Sequence, residues 1–187
     1  TEQGKLYMFV AIDRTSKFAF VELHQNCKTA TSRDFLLRLI EAVPYKIHTV
    51  LTDNGIQFTT PGGGGSAVPL INEAMANGER FWAHAFEYAC ARNDIDHRTT
   101  KPKHPWTNGQ VERMNRTLKE ATVKRFYYET HDQLREHLSN FVVAYNFAKR
   151  LKTLKGLTPY EYICNCWTKD PQRFTSNPHH QTPGPNN

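Results

Sequence analysis

Ile47-His48-Thr49-Val50-Leu51-Thr52-Asp53-Asn54-Gly55, residues 47–55, decides how the chain is read. The β-branched and apolar run through Thr52 predicts a short buried strand, and Asp53-Asn54-Gly55 supplies the turn chemistry that ends it. An acid at the carboxyl end of a strand in an α/β protein stands where such folds place their ligands. Asp-Asn-Gly is also a common turn whatever the function. The stretch therefore fixes a strand end and leaves its chemistry open.

Working outward, residues 6–12 and 18–24 read as two strands of a hairpin, joined by the turn Asp13-Arg14-Thr15-Ser16-Lys17. Thr29 to Val43 carries Phe35, Leu36, Leu39, Ile40 and Val43 at helical spacing, with Thr29 or Thr31 available as a cap and Pro44 as a stop. Hairpin, helix and strand in this order indicate an α/β domain. On the other side, Thr59 to Ala76 reads as irregular, with Gly62-Gly63-Gly64-Gly65-Ser66 as a surface insertion. The Gly-Lys-Ser/Thr ending of a phosphate loop is missing from it. Arg80 to Arg92 is expected as a helix with Phe81, Trp82, Ala85, Phe86, Ala89 and Cys90 as its core stripe, and residues 95–100 as a short strand.

The second informative stretch is Thr107-Asn108-Gly109-Gln110-Val111-Glu112-Arg113-Met114-Asn115-Arg116-Thr117-Leu118-Lys119. Pro102 and Pro105 delay a helix until Thr107 or Asn108, and the helix is expected to run to about Tyr128. Spacings of three, four and seven put Glu112, Asn115, Arg116 and Lys119 on one face. One acid among cations fits a metal ligand beside a bound phosphate chain, and equally fits a solvated helix with ordinary ion pairs. Charge distribution favours the first. Residues 101–155 hold 12 Lys/Arg against 5 Asp/Glu, whereas the rest of the chain holds 12 against 13. The whole +6 excess thus sits around this helix, the electrostatic footprint of a nucleic-acid binder.

Taken together, Leu51-Thr52-Asp53-Asn54-Gly55 and Pro105-Trp106-Thr107-Asn108-Gly109-Gln110-Val111-Glu112-Arg113 resemble the integrase catalytic cores of bacterial insertion-sequence transposases and retroviral integrases. The likeness runs from about Lys5 to about Ile163, with Thr99-Thr100-Lys101-Pro102-Lys103-His104-Pro105 similar to the family's approach to its active-site loop. Leu157-Thr158-Pro159-Tyr160-Glu161 is similar to the stretch that ends many such cores. The resemblance implies a ribonuclease H-like mixed sheet flanked by helices. It implies catalytic, metal-holding roles for Asp53 and Glu112, and DNA contacts from Asn115, Arg116, Lys119, Lys101 and Lys103. It also implies two Mg²⁺ (or Mn²⁺) ions about 4 Å apart that serve an in-line phosphoryl displacement, since hard cations call for carboxylate oxygens. Water would free a 3′ end of a mobile element, and that hydroxyl would then attack target DNA. Element ends and target DNA are the implied partners, with a homo-oligomer to join two ends. Glu112 follows Asp53 by 59 positions, a wider gap than retroviral cores have, so insertion-sequence proteins are the expected closer relatives.

The family uses three acids, the first on the opening strand of the core. Thr1-Glu2-Gln3-Gly4 already resembles the hairpin turn after that strand, so the strand and its aspartate are expected to be missing from this chain and strand 6–12 to keep an open edge. Asp13 follows an apolar strand and is a substitute acid in principle, but it reads as a turn residue. An inactive remnant that binds DNA, or a nuclease of the same fold, are the alternatives to an active transposase. A core over residues 1–165 and a Pro-rich tail over 166–187 are expected.

Residues 132–147 predict one more helix, capped by Asp132, with Leu134, Leu138, Phe141, Val142, Tyr145 and Phe147 on its apolar side. No apolar run is long enough to span a bilayer, and the start lacks a signal-peptide pattern. The resemblance to insertion-sequence proteins implies a cytoplasmic, nucleoid-associated location in a bacterium. Cys27, Cys90, Cys164 and Cys166 are too sparse for a disulfide framework, and Cys164-Asn165-Cys166 lacks a second ligand pair at zinc spacing.

Overall fold

The computed structural model describes residues 1–60, 65–80, 82–100 and 108–180. They fall into two compact units interleaved along the chain: the described residues of Thr1–Leu23, Val43–Lys46 and Gln110–Asn187, and those of His24–Ala42 and Ile47–Gly109.

In the first unit β1 (Tyr7–Ile12) pairs with β2 (Ala19–His24) as a two-stranded sheet. Residues 13–18 are too few for a parallel crossover, so the pair is an antiparallel hairpin. Its inner face packs with α4 (Gly109–Ala121) and α5 (His131–Phe147) around Ala19, Met114, Leu118, Leu138 and Tyr145. Asn146 clamps the hairpin. Its Oδ1 accepts from the Ala19 amide at 2.9 Å and its Nδ2 donates to the Ala19 carbonyl at 2.8 Å. One buried side chain thus satisfies a β2 residue as a neighbouring strand would.

Helix ends here are set by side chains. Thr130, not Asp132, caps α5: its hydroxyl accepts from the Gln133 amide while the Gln133 side chain accepts from the Thr130 amide. This reciprocal box satisfies two orphan donors at once. Asp132 already lies in the first turn, where it meets the dipole and pairs with Arg135 at 2.9 Å. A second box, Thr158 with Glu161, starts α6 (Pro159–Lys169), and Pro159 occupies a position where its missing N–H costs nothing. The helix α4 stops at Ala121 rather than near Tyr128. Thr122 bonds back to the Leu118 carbonyl at 2.7 Å, and Lys124 reaches the Lys119 carbonyl at 2.9 Å, which closes the last turn before the aromatic run at Phe126. The Pro-rich stretch beyond Thr168 is anchored as far as His180. The Thr175 amide donates to the Pro44 carbonyl at 2.9 Å, Tyr160 donates to the carbonyl of buried Pro178 at 2.7 Å, and the rings of Tyr45 and Phe174 meet edge to face.

The second unit contains α1 (Thr29–Ala42), β3 (Thr49–Thr52), α2 (Val68–Asn77), α3 (Ala85–Arg92) and β4 (Asp96–Thr99). The strands β3 and β4 pair in parallel with Thr49 opposite Asp96 and Thr52 opposite Thr99. Leu36, Val68, Ile71, Phe86, Ala89, Cys90 and Ile95 form the core over this pair. Both strand directions of a mixed sheet are therefore present, in two separate pairs. The helix α2 occupies a stretch read from sequence as irregular: Pro69 lies in its first turn, and Gly78, at φ 69°, closes it with bonds to the Ala74 and Met75 carbonyls. The third helix starts at Ala85 instead of Arg80, with His84 as its cap. Trp82, expected in the core stripe, is fully exposed, and Phe81 lies outside the described residues.

Replacing Asn146 by Ala leaves two buried Ala19 groups unpaired, at a cost of about 1–3 kcal/mol each. The urea midpoint should fall accordingly, while Asn140→Ala, on the exposed side of the same helix, should stay within about 0.5 kcal/mol of the parent.

Candidate functional site

Asp53 is the exposed residue just past β3. Its Oδ1 accepts from the Gly55 amide at 2.9 Å, which folds the chain into a tight turn. Asn54 Nδ2 donates to the Thr100 carbonyl at 2.8 Å, and the Thr100 amide donates to the Thr52 carbonyl at 2.9 Å. The end of β4 therefore holds the turn that displays Asp53. Among the described residues Oδ2 takes no hydrogen bond.

Behind the turn lies a buried polar line. Thr52 donates to the Asp53 carbonyl at 2.8 Å and meets His97 Nε2 at 2.9 Å. His97 Nδ1 stands 3.5 Å from Glu87 Oε1, with both side chains almost wholly buried. The same carboxylate oxygen accepts from the Ala67 amide at 2.8 Å and the Thr59 hydroxyl at 3.4 Å. Phe86 closes the line edge-on to His97. Burial pushes the Glu87 carboxyl up, but the His97 contact, the Ala67 amide and the charges of His97 and His84 outweigh it and hold it below its ordinary value. None of these three side chains was singled out by sequence. The signals were a lone acid in an apolar helix stripe and a histidine at a strand position directly across from apolar Val50.

In the other unit, Glu112 is exposed in the first turn of α4, where the helix dipole favours a carboxylate. Met114 and Leu118 bury the opposite side, so Arg113, Arg116 and Lys119 are exposed and Asn115 half-buried. Lys101 and Lys103 lie outside the described residues. Asp13 is engaged locally. Its carboxylate accepts from the Thr15 amide at 2.9 Å, the Ser16 amide at 3.2 Å, the Ser16 hydroxyl at 2.5 Å and the Tyr45 hydroxyl at 3.1 Å. Burial, then the negative charge of Asp13, raises the Tyr45 phenol far above its ordinary value. Among the described residues no three His, Cys, Asp or Glu side chains gather as a metal-holding group, and no helix is long and apolar enough to cross a membrane.

Two family models, each described as Integrase core domain, match residues 1–105 and 93–159. The chain belongs to the integrase core domain family. The catalytic core domain of BIV integrase superposes with a TM-score of 0.62 at 25% identity, covering 88% of this chain and 90% of that one. A simian T-cell lymphotropic virus intasome, solved in complex with the PP2A regulatory subunit B56 gamma, matches with TM-score 0.62 at 19% identity over 97% of this chain and 50% of that one. Similarity extends at 26% identity over 155 residues to the uncharacterized protein K02A2.6 of Caenorhabditis elegans. The chain spans about a tenth of that relative's length. The fold is thus α/β and ribonuclease H-like, and integrase cores are in general polynucleotidyl transferases.

Because the folded Glu87 value lies below the ordinary 4.5, this group stabilises the protein above that pH and loses its contribution as pH falls through the lowered value. In urea titrations from pH 7 downward, the stability gap between the parent and Glu87→Gln should be widest above pH 4.5 and narrow below it. Asp13→Ala removes four accepted bonds and should lower stability by about 1–3 kcal/mol.

Proposed function

We propose that the chain is the core of a mobile-element integrase or transposase, which cuts and joins DNA strands by metal-dependent phosphoryl transfer. The observation that carries the reading is Asp53, an exposed carboxylate held at a parallel strand's end with one oxygen bonded to the Gly55 amide. Family membership supports it, as does the exposed basic side of α4.

Asp53 and Glu112 are the residues that would hold Mg²⁺ or Mn²⁺. The fit rests on donor chemistry, since both are exposed carboxylates and hard cations take oxygen ligands. Bound divalent ions supply activation of an attacking oxygen and neutralisation of a leaving one. The other side chains bind and orient DNA. Arg116 and Lys119 neutralise backbone phosphates, Asn115 offers an amide donor, and Lys101 and Lys103 add two positive charges nearby in the sequence. Phosphate contacts of this kind fix register and carry little sequence information. DNA ends and target DNA are the proposed partners, and joining two ends calls for a homo-oligomer. Asp53-to-Glu112 spacing speaks for an element of the bacterial insertion-sequence kind, acting in the cytoplasm with the nucleoid. The relatives named above are nematode and retroviral instead.

The test is an oligonucleotide assay with Mg²⁺ and a 3′-hydroxyl donor. Joined product that disappears in Asp53→Asn and Glu112→Gln is the expected outcome. Cleavage without joining would indicate a nuclease, and DNA binding with neither would indicate an inactive remnant. In binding titrations, Arg116→Ala and Lys119→Ala should each lower the slope of log K against log salt by about 1, uniformly across DNA sequences.

A further inference from the structure

A line of buried polar contacts runs behind Asp53. The Thr52 hydroxyl lies 2.8 Å from the Asp53 carbonyl, to which it donates, and 2.9 Å from His97 Nε2. The ring's second nitrogen then faces the Glu87 carboxylate at 3.5 Å. The ring lies edge to face with Phe86 and beside a carboxylate that the Ala67 amide and Thr59 hydroxyl also hold.

We propose that Glu87, His97 and Thr52 are positioning residues for Asp53: the buried Glu87 carboxylate fixes the imidazole, the imidazole fixes the Thr52 hydroxyl, and the hydroxyl fixes the backbone of the turn that displays the carboxylate. The purpose of that turn rests on the metal-holding role proposed for Asp53; the mechanical coupling does not. A buried acid beside a buried histidine is an expensive way to fill a core, because polar groups taken out of water cost free energy unless they are partnered. Its geometry explains the expense. The register that sets His97 opposite Val50 brings its ring to the side chain of Thr52, one residue before Asp53. The turn's other restraints lie on its far side: the Gly55 amide on Asp53 Oδ1, the Asn54 side chain on Thr100, and the Phe58 and Thr59 amides on the Gly55 carbonyl. Loss of the hydroxyl therefore removes, among the described residues, the bond that ties the Asp53 carbonyl to the buried line.

The experiment measures ¹⁵N order parameters of the Asn54 and Gly55 amides in the metal-free chain. Values near 0.85, typical of rigid backbone, are expected for the parent and a fall below about 0.6 in Thr52→Val and Glu87→Gln. The amides of α2, in the same unit, should hold their values. Thr52→Ser keeps the hydroxyl and should restore the parent values. Asp53→Asn, whose amide oxygen still accepts from Gly55, should keep them too while losing strand joining. Failure of the metal reading thus appears in the joining assay alone. Order parameters at Asn54 and Gly55 unchanged in Thr52→Val, despite a lower melting temperature, would reduce the line to core packing and overturn the proposal. So would Thr52→Ser behaving like Thr52→Val. Should Glu87→Gln fail to fold, the Thr52 pair of variants decides alone.

Discussion

The parallel register of β3 and β4 is the constraint on which the candidate chemistry depends. With Thr52 opposite Thr99, the chain leaves β3 beside the end of β4, and the Thr100 backbone can bond both to Thr52 and to Asn54. A slip of one residue would send His97 to the other face and break its bond to Thr52. Nothing about Asp53 itself enforces its place; it is exposed and held at one oxygen. The side chains that enforce it are buried, and they come from β3, α3 and β4, which are far apart in sequence and close in the fold.

The other unit solves a related problem with different means. A two-stranded hairpin is marginal by itself, and here Asn146 and the Met114–Leu118 side of α4 stabilise it from one face. Packing two apolar positions of α4 inward leaves Glu112, Arg113, Arg116 and Lys119 in solvent. The helix is thereby both a core element and a charged surface.

Elements with strong periodicity were legible in the sequence. The hairpin strands, β3, α1 and α5 follow from apolar spacing, and the turn after β3 follows from Asp53-Asn54-Gly55. Boundaries were less so, for reasons of local competition: Thr122 bonds back to its own helix and ends α4 early, and Thr130 with Gln133 outcompetes Asp132 as a cap. The glycine run drew attention away from the Pro69 and Gly78 signals that bracket α2. Trp82 is apolar by composition and exposed in fact, because the helix begins three residues later. At the site, the exposed acids could be picked out because turns and helix starts have sequence signatures. The Glu87–His97–Thr52 line could not, since it depends on strand register and on a helix crossing that no local pattern encodes.

The central claim is that Asp53 is a metal ligand, and Mn²⁺ titration followed by NMR tests it most directly. Paramagnetic broadening of the Gly55 amide at low Mn²⁺, absent from the same titration of Asp53→Asn, is the result this account predicts. Broadening that persists in Asp53→Asn, or a Gly55 amide untouched by Mn²⁺ in the parent chain, would contradict it.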